Sequence, residues 1–284
     1  MTPPLWPLGS GTVKCGRGAP TRSLHRVNTT SALWTLGRDD VDLDLVRERK
    51  SSTSVAVIVP ARNEADTVGA VLDAARADGD LVDELVVVDD HSHDDTAVVA
   101  GRHGARVVAL AGPHGKGAAM AAGVAATASD LVVFLDADVT NTAPDYVARL
   151  ISPLLLEPRI HLVKGYYVRP LHDMPVGGGR VNDLAARPIL SLLFPGLGEV
   201  RQPLAGETAT RRSALAEVTL ESSYDVEIAL LIDVARRFGI ESLAQVDLGV
   251  RRHRNRPLEE LRPMAGDVLR VALERYGVDL PTPG

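Results

Sequence analysis

The 284 residues include one cysteine, Cys15, which excludes an intrachain disulfide and a Cys-rich zinc site. Lysine is scarce too. Lys14, Lys50, Lys116 and Lys164 are the four among 31 basic residues, leaving 27 Arg, a bias that reads as GC-rich coding rather than function. No apolar run approaches the roughly 18 residues of a membrane-spanning helix. Long ones such as Ile228 to Ile232 are interrupted by Asp233 and the Arg236-Arg237 pair. The first residues carry Pro, Gly and scattered Arg without an apolar core of signal-peptide length. A soluble protein in a reducing, cytoplasmic setting, with no membrane association, is the expectation. The formal net charge of −6 argues against a general nucleic-acid binder, which shows a broad basic surface, but it leaves room for a local basic site.

What is present is an ordinary globular balance, 45% hydrophobic and 24% charged, enough for a sizeable core in one large or two small domains. Residues 1–35 hold four Pro and no apolar periodicity, so they are expected to be disordered. Asp39 to Lys50 suits a short lead-in helix, and regular order is expected from near Ser54. There Val55 to Val59 is a continuous apolar run, as a strand buried on both faces should be. Val68, Val71, Leu72 and Ala75 follow at i, i+3, i+4, i+7, the spacing of an amphipathic helix. Further strands are expected at 85–88, 106–110 and 131–135, with helices after Asp94-Asp95 and from Gly115 to Ala128. Such alternation predicts an α/β, Rossmann-like, mainly parallel sheet flanked by helices. The second half is less regular. It carries a Gly177-Gly178-Gly179 loop, helices near 181–194 and 224–238, a strand near 243–250 and a last helix to about Tyr276.

In open α/β sheets, ligands sit beyond the carboxyl ends of the strands. Three polar clusters fall at such ends: Pro60 to Glu64, Asp89-Asp90, and Asp136-Ala137-Asp138. In the last, alternate carboxylates leave an extended backbone in the same direction. One can ligate a hard cation such as Mg²⁺ while the other meets ribose or a metal-bound water. D-x-D is also a common acidic turn, and its position after a buried strand is what makes it informative. Lys116, between Gly115 and Gly117, is either a nucleotide contact or a solvated turn residue; the spacing is not that of a P-loop. The Gly loop running into Arg180, Val181 and Asn182 would present helix N–H groups and a guanidinium to an anion, or is a plain linker. Arg251 to Arg256, with His253 and Asn255, is either a solvated face or a polyphosphate site in which His253 binds metal or phosphate. Glu227, after Tyr224 and Asp225, either favours the helix dipole or binds sugar hydroxyls and stabilises charge at a reacting carbon.

These motifs together resemble those of the glucosyl-3-phosphoglycerate synthases, retaining GT-A glycosyltransferases. The similarity is carried by VAVIVPARNEADTV, DELVVVDDHSHDDT, GKGAAM, DLVVFLDAD, LVKGYYVRP, GGGRVNDLAARP, QPLAGE, YDVEIALLID and QVDLGVRRHRNRPL, over residues 54–276. It implies transfer of glucose from UDP-glucose, or another NDP-glucose, to 3-phosphoglycerate, with Mg²⁺ or a similar ion such as Mn²⁺, by a homodimer. It also implies roles. Pro60, Ala61, Arg62 and Glu64 would line the nucleotide segment, with Asp90 and Lys116 at uridine and Asp136 and Ala137 in the D-x-D region. Asp138 and His253 would be the metal ligands. Gly179, Arg180, Val181, Asn182 and Asn255 would bind the acceptor, with Tyr224 beside them and Glu227 at the donor glucose. Asp138, Arg180 and Glu227 are the implied catalytic group. On this reading 54–150 is a nucleotide-sugar-binding subdomain and 151–284 the acceptor-binding part of one GT-A unit.

Four positions depart from the family pattern: DAD stands for DSD, Asp90-His91-Ser92-His93 for a Ser-Gly-Ser-Thr stretch, Asn182 for Thr and Asp225 for Gly. These bear on donor and acceptor preference more than on reaction class. No residue is an obvious covalent nucleophile, which favours same-face attack over double displacement. The rival readings are an inverting transferase resembling the dolichyl-phosphate sugar synthases, a sugar-nucleotide pyrophosphorylase, and a nucleotide-binding protein without transferase activity. The pyrophosphorylase reading would need a Gly-rich loop where Pro60 to Glu64 stands.

Overall fold

The computed structural model describes residues 33–77, 79–171, 174–177, 179–221, 225–252 and 257–281. It opens with β1 (Trp34–Leu36) and α1 (Leu43–Lys50). Strands and helices then alternate through β2 (Val55–Ala61), α2 (Val68–Arg76), β3 (Glu84–Asp89), α3 (Thr96–Arg102), β4 (Arg106–Ala109), α4 (Lys116–Ala125) and β5 (Leu131–Phe134). The next segments are α5 (Tyr146–Leu156), β6 (Leu162–Val168) and the small antiparallel pair β7 (Pro170–Leu171) and β8 (Met174–Gly177). The chain continues through α6 (Arg187–Leu193), β9 (Thr208–Arg211), α7 (Arg212–Leu215), α8 (Val226–Phe238), β10 (Leu243–Val250) and α9 (Leu258–Tyr276).

Eight strands form one sheet in the order β1-β10-β6-β9-β5-β2-β3-β4. Only β9 runs against its neighbours β5 and β6; the other pairings are parallel. β2 shows why a mainly parallel sheet needs apolar strands. Val55, Val57 and Val59 face one core and Ile58 the other, all fully buried. Each such side chain contributes about 1.5–3 kcal/mol relative to exposure. The first core is closed by α1, α2 and α5, through Val46, Leu72 and Ile151; the second by α4, α8 and α9, through Met120, Leu231 and Val268. α4 packs so close to β2 that a Cβ at Gly123 would overlap the Ile58 side chain.

The α/β class and the strands expected in the first half are all found. Order begins earlier than near Ser54, however. Trp34–Leu36 pairs in parallel with Ala244–Val246 at the sheet edge. Gln245 Nε2 donates to Thr35 Oγ1 at 2.9 Å, and Tyr166 Oη donates to the Leu36 carbonyl at 3.2 Å. Three residues are too few for a periodic signal, and partners so distant in sequence leave none. The expected tail therefore overruns the first strand; residues 1–32 lie outside the described set. α5, β6 and β9 were also not expected as elements. β6 carries Lys164 among apolar residues, and β9 reads TATR, so neither offers clean alternation.

The arrangement brings the carboxyl ends of β2, β3, β5, β6 and β10 to one edge of the sheet. Because β9 is reversed, its amino end, preceded by Gly206-Glu207, joins them there.

Candidate active site

A cleft of about 310 Å³ opens at that edge. Its walls include every described residue to which the resemblance gives a role: Pro60, Ala61, Arg62, Glu64, Asp90, Lys116, Asp136, Ala137, Asp138, Gly179, Arg180, Val181, Asn182 and Glu227. Tyr224, His253 and Asn255 lie outside the described residues.

Local chemistry sets each wall. After β2 the chain turns through Asn63 in the left-handed region (φ 55°). The turn is tied to the segment after β3: Asn63 N donates to Ser92 Oγ, His93 N to Asn63 Oδ1, and Glu64 N to Thr96 Oγ1, at 2.8–3.0 Å. Asp90 is buried. One of its oxygens accepts the Gly115 N–H at 3.0 Å, and the other lies 3.1 Å from His91 Nδ1. Gly115, with φ 154°, then starts α4 so that Lys116 points into the cleft. Across it, Asn182–Ala186 is wound in the wide π register and continues into α6. Such bulges recur at functional sites. Asn182 Nδ2 reaches the Arg201 carbonyl at 3.1 Å. Leu204, Leu261, Met264 and Val268 give one side an apolar lining.

The floor is a chain of buried charges. Lys116 Nζ lies 2.6 Å from Asp136 Oδ1 and 2.5 Å from Glu227 Oε1. Arg251 Nη2 lies 2.6 Å from Asp136 Oδ2 and 3.2 Å from Asp138 Oδ1, its Nε is 3.3 Å from Glu207 Oε1, and Nη1 donates to Tyr167 Oη at 2.8 Å. Burial alone would raise the Asp136 carboxyl, but Lys116 and Arg251 hold it far below the usual carboxylate range. Burial would likewise lower the Lys116 ammonium, yet Asp136 and Glu227 hold it above its ordinary value. Burial pushes Glu207 up, against the pull of Arg251. Gly206 is a steric requirement here, since a Cβ would overlap the Asp136 carboxylate.

The two D-x-D carboxylates are therefore unequal. Asp136 is 16% exposed and held by two cations, whereas Asp138 is 36% exposed and shares only the edge of Arg251. Asp138 is the one open to a ligand. The paired groups Asp136, Asp138, Glu207 and Glu227, against Lys116 and Arg251, sum to a formal charge of −2. A hard divalent cation fits that open oxygen donor. No group of three or more metal-ligating side chains occurs among the described residues, so further ligands would come from outside them or from a bound substrate.

Sequence reasoning missed Arg251, Glu207 and Lys164. By sequence the run 251–256 reads as one basic cluster, either solvated or facing polyphosphate. Arg251 instead turns inward, 4% exposed, because β10 ends beside the D-x-D. The clue was its place directly after an apolar strand. Lys164 is 2% exposed in β6 and donates to the Ala205 carbonyl and Thr208 Oγ1 at 2.5 and 3.0 Å. Burial lowers its pKa to about 8. A lone Lys inside an apolar strand was the available signal.

The family model for glycosyl transferase family 2 matches residues 56–173. Glucosyl-3-phosphoglycerate synthase of Mycobacterium tuberculosis (strain ATCC 25618 / H37Rv) is 44% identical over 261 residues, covering 86% of this chain and 78% of that protein. The chain belongs to the glucosyl-3-phosphoglycerate synthase family. The family's namesake from Petrotoga mobilis is 38% identical over 254 residues, covering 83% of this chain and 78% of the relative. The crystal structure of the M. tuberculosis enzyme with Mn²⁺, UDP-glucose and phosphoglyceric acid superimposes with a TM-score of 0.81 at 42% identity, covering 87% of this chain and 89% of that one. The same enzyme with Mn²⁺, UDP and glucosyl-3-phosphoglycerate gives 0.80 at 42%, over 87% and 89%. This is the GT-A fold of that family. Among the described residues no helix is long and apolar enough to cross a membrane.

Proposed function

We propose that the protein transfers glucose from UDP-glucose, or another NDP-glucose, to 3-phosphoglycerate with retention of configuration, as a cytoplasmic homodimer. The observation that carries this reading is the cleft floor, where Asp138 stands open beside a chain of paired, buried charges. The M. tuberculosis enzyme was crystallised with Mn²⁺ and UDP-glucose and with Mg²⁺ and UDP, which supports a divalent cation here. Asp138, with His253, would hold it. Once bound, such an ion neutralises charge on a departing diphosphate.

The chain's own residues do the rest. Pro60 to Glu64, Asp90 and Lys116 form the wall for the nucleoside, and the 54–150 segment is the donor-binding half. Asp136 and Ala137 carry the chain from the end of β5 into the turn that presents Asp138 at the floor. Lys116 and Arg251 keep Asp136 ionised near neutral pH. Glu227, buried and paired with Lys116, lies where a sugar hydroxyl can be held. Gly179, Arg180, Val181 and Asn182 make the acceptor wall within 151–284, and the family resemblance adds Tyr224 and Asn255 to the acceptor contacts. Arg180 fixes a phosphate or carboxylate bidentately, turning binding into proximity. No side chain stands as a covalent nucleophile in this scheme, and the leaving phosphate takes the acceptor proton.

The test is product analysis with UDP-glucose and 3-phosphoglycerate, with and without EDTA, and with the anomeric configuration assigned by NMR. An α-linked glucosyl-3-phosphoglycerate that disappears with EDTA is expected, and Asp138→Ala should abolish it. A β-linked product, or undiminished turnover in EDTA, would overturn the mechanism.

A further inference from the structure

Behind the D-x-D lies a carboxylate that the proposed chemistry does not use. Glu207 is 1% exposed, and neither of its side-chain oxygens hydrogen-bonds a described residue. Such burial is costly unless an opposite charge compensates it. The charge it meets is Arg251, whose Nε lies 3.3 Å from Glu207 Oε1. The far end of the same fork, Nη2, is the atom that touches Asp136 and Asp138 at 2.6 and 3.2 Å. A guanidinium is planar and rigid, so fixing its Nε edge limits where Nη2 can go. Glu207 is itself fixed by the sheet: it directly precedes β9, and its carbonyl accepts the Gly165 N–H at 2.8 Å.

We propose that Glu207 is a positioning residue that holds Arg251 back from Asp138 and so leaves that carboxylate able to take a divalent cation. The proposal rests on the reading above, in which Asp138 is a metal ligand. The single positive charge of Arg251 is divided among three carboxylates. Removing the share drawn by Glu207 lets the fork settle on the D-x-D, where it competes with a cation for Asp138. It also removes one negative charge from the paired groups. Both effects weaken cation binding. Neither touches Gly179 or Arg180 on the acceptor wall.

The experiment is Mn²⁺ titration calorimetry on the full chain with saturating UDP, alongside steady-state kinetics. For the nearly isosteric Glu207→Gln, the Mn²⁺ Kd should rise about tenfold, the loss of one nearby charge partly screened. The KM for 3-phosphoglycerate should stay within about twofold, and kcat should recover at high Mn²⁺. Glu207→Asp, which keeps the charge, should restore the affinity. A second arm guards against a poorly folded single variant: Arg251→Gln compared with Arg251→Gln/Glu207→Gln, which neutralises the buried pair. If Glu207 acts through Arg251, the added substitution weakens Mn²⁺ binding clearly less in that background than in the wild type, the remainder being the direct loss of its charge. An unchanged Kd in Glu207→Gln, an equal shift in acceptor KM, or additive effects in the cycle would overturn the proposal. Wild-type protein that binds no Mn²⁺ at all would instead sink the metal-ligand reading beneath it.

Discussion

Lys116→Met isolates the energetic role of the charge chain. The lysine is the cation between Asp136 and Glu227, with side chains 18%, 16% and 6% exposed. Methionine keeps much of the stem and removes the charge, leaving two shielded carboxylates with less compensation. Breaking a buried pair from one side costs about 3–5 kcal/mol. At about 2–4 °C per kcal/mol for a chain of this size, Tm should fall by roughly 10 °C. The pH dependence is a sharper check. The Lys116 pKa is raised in the fold, so its contribution is fully present below the unfolded lysine value of about 10.4 and is lost only above it. The Asp136 pKa is depressed, so its contribution is present above the unfolded value of about 3.9 and fades as pH falls below it. The gap between wild type and variant should therefore be flat from about pH 5 to 9 and shrink toward pH 3. Urea unfolding followed by far-UV circular dichroism across that range measures it. A gap under about 1 kcal/mol, the size of an exposed pair, or one that widens in acid, would refute the buried-chain account.

Three further outcomes are expected. Gly206→Ala should lower kcat/KM by about two orders of magnitude, because the new methyl displaces Asp136 in a packed site, while costing only about 1–3 kcal/mol of stability; near-normal turnover would contradict the packing. Arg180→Ala should raise the KM for 3-phosphoglycerate at least about tenfold through the lost bidentate contact, and leave UDP affinity by calorimetry little changed. Equal loss of both would undo its assignment to the acceptor. Lys164→Met tests the lysine held by Ala205 and Thr208. With a folded pKa of about 8 against about 10.4 unfolded, wild-type stability should rise relative to the variant between pH 8 and 10, since the unfolded chain binds more protons there. A flat difference would mean that the buried ammonium is not destabilised.

The sequence carried the donor half well because its signals are local. β2 is apolar at successive positions, and Asp90 and Asp136-Ala137-Asp138 lie just past strand ends, so periodicity plus the strand-end rule located them together. The acceptor wall at Gly179 to Asn182 was legible as a glycine loop entering a helix. What was not legible depends on distance in sequence. Arg251 reads as the first of a basic run, and only the parallel pairing of β10 beside β6 turns it onto Asp136. Glu207 gains its place from the reversal of β9, which no local pattern announces. β1 is three residues long, and its meaning lies in Gln245, 210 positions away.

That edge pairing reaches the cleft. During synthesis Trp34–Leu36 emerges long before β10 exists, and closing so wide a loop carries an entropic cost that only late contacts can offset. β10 has β6 on one side and β1 on the other, and Arg251 follows it by one residue. Trimming the chain to residue 54 would leave β10 as a bare sheet border, open to pairing with another molecule, and would loosen the strand whose tip carries the guanidinium. A segment remote from the chemistry thus sets how firmly its charge is anchored.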